Sequence, residues 1–232
     1  MRHYNRHDAA LHIALFASLA ILVYMSVFYV SLPYGVQGWH APTAFRTFFY
    51  HIPVAWTAYV SFGVVFVASI FHLRTRAQKW DMVAGGSAEI GIVMTSLALL
   101  TGAVWSKAEQ GYYWTWDDPK LFATFILWIA YVAYLTLRAG VKGEAKARIC
   151  AVFGTISFVF VPLSYIASKS EQSLHPDLTR SASFFPVQNG ITLLVGVVAF
   201  TLLYLSLFKL RYGVEKLTAQ LEVVKDEMEE PH

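Results

Sequence analysis

Trp105-Ser-Lys-Ala-Glu-Gln-Gly111-Tyr112-Tyr113-Trp114-Thr-Trp116-Asp117-Asp118-Pro119-Lys120 is a polar, aromatic interval between two apolar runs, Met82–Val104 and Leu121–Leu137. A helix crossing about 30 Å of hydrocarbon at about 1.5 Å per residue needs roughly 20 mostly apolar residues. Both runs are of that order, so the interval reads as a loop joining two membrane spans. Four further runs meet the same requirement: Leu11–Leu32, His51–Leu73, Ile149–Ala167 and Val187–Phe208. Five of the six contain no Asp, Glu, Lys or Arg, and the third contains only Glu89. The expected fold is all-α, a polytopic membrane protein with six transmembrane helices. Residues 1–210 form the membrane domain and 211–232 a polar tail.

Composition agrees. Of the residues 56% are hydrophobic and 14% charged, mean hydropathy is +0.48, and a soluble domain carries about 25% charge. A net charge of +3 gives no electrostatic footprint for a nucleic acid. Cys150 is the one cysteine. That excludes an intrachain disulfide, a CxxC thiol relay and a CxxCH site for covalent haem. The first run is long for a signal peptide and lacks a small-x-small cleavage site, so it reads as a retained anchor.

Lys and Arg gather on the cytoplasmic side of membrane proteins. The N-terminus, the 74–81 loop, the 138–148 turn and the tail hold 13 of them, and loops 33–50, 105–120 and 169–186 hold the other 5 of 18. Both termini are therefore expected in the cytoplasm and the three poorer loops outside. Leu217, Leu221, Val224 and Met228 recur at helical spacing in the tail, which suits a short amphipathic helix. That helix is either a solvated extension or a partner surface.

The outer loops carry the chemistry. Trp39, Trp105, Trp114 and Trp116 lie there. One reading is the interfacial belt, in which Trp and Tyr rings sit at headgroup level. The other is a platform: a dense Tyr-Tyr-Trp-x-Trp-Asp run offers flat faces and indole N–H donors to a large planar ligand. Three of the eight histidines, His40, His51 and His175, are also outward. His51 opens the second span in Phe45-Arg46-Thr-Phe-Phe-Tyr50-His51-Ile-Pro53, and His175 stands in Ser173-Leu174-His175-Pro176. Two imidazoles on one membrane face, flanking an aromatic loop, suit axial ligation of haem iron. His40, between Gly and Pro, reads as a surface residue. Arg46, Lys120 and Arg180 are the outward cations available to haem propionates. Glu89, ionisable and inside a span, reads first as a hydrogen-bonding group of the bundle and second as part of a proton or haem pathway.

These motifs resemble one family. Gly111-Tyr112-Tyr113-Trp114-Thr-Trp116-Asp117 is similar to the tryptophan-rich WWD loop of haem-handling proteins. Arg46 with Tyr50-His51-Ile-Pro53 and Trp56, then Ala88-Glu89-Ile-Gly91 with Thr101-Gly102-Ala-Val-Trp105, then Ser173-Leu174-His175-Pro176, follow in the order of the cytochrome c maturation protein C family (CcmC). The resemblance covers most of residues 40–210. It implies haem b held non-covalently in the cytoplasmic (inner) membrane, at its extracytoplasmic face. His51 and His175 would be the axial ligands, and Trp105, Trp114, Trp116 and Asp117 the loop over the haem. The implied partners are haem, an ABC-type ATPase and permease, a small single-span membrane subunit and an extracytoplasmic haem chaperone. ATP hydrolysis would belong to a partner, not to this chain. Two departures stand out. Gln110-Gly111 replaces the family's Trp-Gly, and Asp118-Pro119-Lys120 is closer to the CcsA-type exporters, so Lys120 is a point charge where the family has an Arg fork.

Competing readings are a CcsA-like haem exporter or synthetase subunit and a b-type haem electron-transfer subunit. The latter usually places His pairs deep in the span, where this chain has none. A secondary transporter would show paired helix breaks, and Pro162 interrupts only the fifth run. The topology is checked by single cysteines in a chain lacking Cys150. Gln110→Cys and Leu178→Cys should react with a membrane-impermeant thiol reagent from outside and Ala77→Cys should not. The reverse pattern would invert the chain.

Overall fold

The structure, a computed structural model, describes residues 6–36, 39–143, 145–175 and 185–229. It is helical throughout the described membrane region: α1 (Arg6–Tyr24, continued by a π turn to Tyr29), α2 (Phe48–Thr75, entered through a 3-10 turn at Pro42–Thr47), α3 (Gln78–Gln110), α4 (Pro119–Gly140), α5 (Ala145–Ser157), α6 (Phe160–Ala167) and α7 (Val187–Glu229). Among the described residues six stretches are long and apolar enough to cross a membrane: Arg6–Tyr29, Pro42–Thr75, Gln78–Gln110, Pro119–Gly140, Ala145–Ala167 and Val187–Leu221.

Two elements differ from the sequence expectation. The fifth span is divided, α5 ending at Ser157 and α6 opening at Phe160. Pro162 causes this from a turn downstream: it has no N–H for the Phe158 carbonyl and its ring crowds that group. The Phe158 carbonyl accepts instead from Val161 N. The tail does not form a helix of its own but continues α7 without a break to Glu229. Leu210, Val214, Leu217, Leu221, Val224 and Met228 stand exposed along it.

Lipid chains are as apolar as leucine, so spans associate through close approach and internal hydrogen bonds more than through the hydrophobic effect. α3 shows how. Ala84, Gly85, Gly86, Ser87, Ala88, Gly91, Thr95 and Ala98 make most of its buried face, beside Ile90 and Met94. The Phe62 ring of α2 enters the notch at Gly91, where a Cβ would meet it at 2.5 Å, and it stacks on Tyr131 of α4 with centroids 3.6 Å apart. α7 comes equally close to α2: a Cβ on Gly196 would meet Pro53 Cγ at 2.8 Å and the Phe49 carbonyl at 3.0 Å. That carbonyl is the one Pro53 cannot satisfy.

One end of the bundle is closed by ion pairs. Arg138 forms a two-pronged pair with Asp81, at 2.6 and 2.9 Å. Arg211 pairs with Glu89, Nη2 to Oε1 at 2.7 Å, and with Glu215 at 2.9 Å. Lys209 pairs with Asp8. Glu89 is thus engaged in joining α3 to α7. Asn189 ties the other end of α7 to the chain after α1, accepting from Ser31 N at 2.9 Å and donating to its carbonyl at 3.0 Å.

The packing makes a prediction with an internal control. Gly91→Ala has no room because Phe62 is backed by Tyr131, and overpacking of this kind costs about 1–3 kcal/mol. Gly63 has nothing within 4 Å of a built Cβ, so Gly63→Ala should be neutral or gain up to about 1 kcal/mol of helix propensity. Thermal unfolding in detergent should separate the two.

Candidate functional site

The start of α2, the end of α3, the start of α4 and the segment before residue 176 meet at the end of the bundle opposite the ion pairs. They line a cleft with about 90 Å³ of enclosed space, open to the outside, whose walls include His51, Tyr59, Trp105, Lys120 and His175. Most of the other lining groups are apolar.

His51 sits one turn into α2. Its ring faces Gly102, where a Cβ would come within 3.2 Å of Cε1, so the glycine makes the space the imidazole occupies. His51 Nδ1 lies 2.9 Å from Thr101 Oγ1. The Thr101 hydroxyl has one proton, directed at the Leu97 carbonyl at 2.8 Å. His51 Nδ1–H is therefore the donor to Thr101, which leaves Nε2 as the nitrogen with a free lone pair. The rings of His51 and His175 lie with centroids 6.2 Å apart and planes at 41°.

Lys120 turns inward from the first turn of α4. It donates to Tyr59 Oη at 2.8 Å and to the Ser164 carbonyl at 3.1 Å. Among the described residues it has no carboxylate partner. Two of its three N–H groups are engaged in these bonds.

The other expected site residues divide between the cleft wall and its surroundings. Trp105 lines the cleft and meets Trp39 edge-on at 6.4 Å. Trp114 and Trp116 stand beside it, packed edge-on with each other at 5.3 Å and against Phe125 of α4 at 5.8 and 5.5 Å. Trp116 is exposed, and Trp114 Nε1 is buried and has no hydrogen-bond partner among the described residues. Asp117 is exposed, its Oδ2 accepting from the Thr115 hydroxyl at 3.3 Å. Arg46 turns toward the end of α1, donating to the Val27 carbonyl at 3.2 Å, and its Nε is buried and unpartnered. His40 is exposed. Arg180 and Pro176 lie outside the described residues.

Two carboxylates that sequence reasoning passed over hold the loops. Glu109, 8% exposed, accepts from His40 N at 2.6 Å and Ala41 N at 2.8 Å. Asp118, 4% exposed, caps α4 by accepting from Lys120 N at 2.7 Å and Leu121 N at 3.2 Å, and accepts from Leu174 N at 2.8 Å. The cap was legible, since Asp before Pro is a helix-start signal. The clasp at Glu109 was not, since nothing in local sequence links residues 69 positions apart.

Comparisons with known proteins point one way. A family model described as Heme exporter protein C matches residues 3–226. The chain is similar to the Heme exporter protein C of Bradyrhizobium diazoefficiens, 32% identical over 166 residues, which are 70% of this chain and 63% of that one, under two thirds of its length. It is similar to the Heme exporter protein C of Rhodobacter capsulatus, 29% identical over 185 residues, 78% of this chain and 76% of that one. A shorter likeness reaches the Cytochrome c biogenesis protein CcsA of Prochlorococcus marinus, 35% identical over 92 residues, 40% of this chain and 28% of that one.

The clasp is tested by Glu109→Gln. His40 N meets one oxygen of Glu109 and Ala41 N the other, so an amide sets an NH2 group against one of these donors, and each lost charge-assisted bond is worth about 1.5–3 kcal/mol. Backbone exchange at His40 and Ala41 should accelerate, while Leu174 should exchange as in the parent chain.

Proposed function

The chain belongs to the Heme exporter protein C family, and from that premise we propose that it handles haem for cytochrome c biogenesis, holding it non-covalently as haem b in the cleft between His51 and His175. The spacing of the two rings carries the reading. An imidazole nitrogen lies about 2 Å from a bound metal, so two rings on opposite sides of one iron have centres about 6 Å apart, close to the 6.2 Å found here. Thr101 leaves His51 Nε2 as the coordinating nitrogen, the arrangement in which the other ring nitrogen is held by a protein acceptor. Haem would bring the iron, and His51 and His175 would be the residues that hold it.

Lys120 would offer its ammonium group to one propionate, with Tyr59 beside it. Arg46 and Arg180 are the further cations of this face. Trp105 presents a cleft wall. The exposed Trp116 and its neighbours Trp114 and Asp117 form a rim outside the cleft, suited to an extracytoplasmic haem chaperone that meets the haem edge there. The site would face outward from the cytoplasmic membrane, both termini inside, as the distribution of Lys and Arg supports. The family description, an exporter, supports assembly with an ABC-type ATPase and permease and a small single-span subunit. ATP would be hydrolysed by that partner ATPase, and this chain would serve as a delivery component.

The test is the visible spectrum of the purified protein. The parent should show a low-spin, six-coordinate haem. His51→Ala and His175→Ala should each lose that signature, and the double variant should lose haem. His40→Ala should match the parent. Trp114→Ala with Trp116→Ala should keep the spectrum and lower the yield of mature cytochrome c. A low-spin signature that survives either single His substitution would remove that residue from the ligand pair.

A further inference from the structure

His175 ends the described part of its loop, and helical geometry does nothing to aim it. The three residues Ser173-Leu174-His175 are fixed by their polar groups. The Ser173 hydroxyl donates to Asp118 Oδ1 at 3.2 Å and accepts from His175 N at 3.2 Å. Leu174 N donates to Asp118 Oδ2 at 2.8 Å. The Leu174 carbonyl accepts from Gln110 Nε2 at 3.3 Å, and Gln110 Oε1 is in turn held by the Ser106 hydroxyl at 2.9 Å. Every one of these anchors lies on the end of α3 or the start of α4. Asp118 is 4% exposed, so its charge is spent on these donors and not on water.

We infer that Asp118, with Gln110, is a latch that positions His175 over His51, and that opening it detaches His175 from the cleft while leaving His51 in place. This rests on the ligand pair proposed above and adds a residue that controls it. The two oxygens of Asp118 divide the work. Oδ1 serves the helix start and the Ser173 hydroxyl, and Oδ2 serves the Leu174 amide. A side chain with a single acceptor oxygen cannot do both. Asn is as good an N-cap as Asp, so Asp118→Asn keeps the start of α4 and gives up the hold on Leu174. His51, fixed on α2 by Thr101 and Gly102, is untouched by that change.

The experiment uses the full chain in detergent, with two readings. In haem-free protein, amide exchange at Leu174 should rise by about tenfold or more in Asp118→Asn, as expected for losing a bond to a buried charge. In haem-loaded protein the low-spin, six-coordinate signature of the parent should give way to a five-coordinate, high-spin one, with haem still retained through His51. Glu171→Gln, an exposed carboxylate three residues before Leu174, should change neither. Unchanged exchange in Asp118→Asn, or faster exchange with an unchanged spectrum, would overturn the latch. Should Asp118→Asn fail to insert, Gln110→Leu removes the hold on the Leu174 carbonyl and is judged by the same two readings. If the parent itself is not six-coordinate through His51 and His175, the ligand pair falls, and the exchange reading alone decides whether Asp118 holds the loop.

Discussion

A backbone N–H withdrawn from water needs an acceptor, and at the cleft end of this bundle five of them meet two carboxylates. Glu109 takes His40 and Ala41; Asp118 takes Lys120, Leu121 and Leu174. Both carboxylates flank one loop, between α3 and α4, and each reaches into a different neighbouring loop. Desolvating a carboxylate is costly unless charge-assisted donors replace water, and here the loop backbones are those donors. The dependence is mutual. Without the carboxylates the loops have buried donors unsatisfied, and without the loops the carboxylates are charges in an apolar surround. Trp39 reaches Trp105, and His175 reaches His51, because of this exchange.

The helices provide the fixed half of the site. His51 is set by features of the spans themselves: the α2 start, the space left by Gly102 and the hydroxyl of Thr101. Thr101 also spends its proton on its own helix, which decides the His51 tautomer without any acidic neighbour. Pro53, two residues on, frees the Phe49 carbonyl, and Gly196 lets α7 lie against that turn. His175 stands on a loop segment that Asp118 and Gln110 hold through Ser173 and Leu174. One histidine of the cleft is thus built on packed helices, and the segment carrying the other is tied down by side chains.

Much of this was legible from one sequence. Six apolar runs gave the spans because backbone groups in hydrocarbon must be satisfied within a helix. Span boundaries were less so: the π turn at Met25–Tyr29, the division of the fifth span and the unbroken α7 depend on packing and on an effect of Pro162 one turn upstream. His51, His175, Trp105 and Lys120 were readable as site residues from residue type and loop position, and the fold brings them to one cleft. Trp114, Trp116 and Asp117 share the same loop but turn to α4 and the surface, since loop sequence does not specify direction. Glu109, Asp118 and Gln110 were hidden for another reason. Their partners lie on other loops, and a single sequence carries no record of which distant backbone groups a carboxylate will meet.

The two ends of the molecule are locked by different chemistry. At one end long cationic side chains bridge Asp81, Glu89 and Glu215 across α3, α4 and α7, contacts between side chains alone. At the other, carboxylates bind backbone. A pair of side chains can part and re-form without altering the chain's path, whereas releasing a backbone N–H frees the loop that carries it. The ion-paired end therefore holds helices together, and the carboxylate end sets where loops lie. Rigidity thus lies with the packed spans, and the releasable contacts lie with the loops.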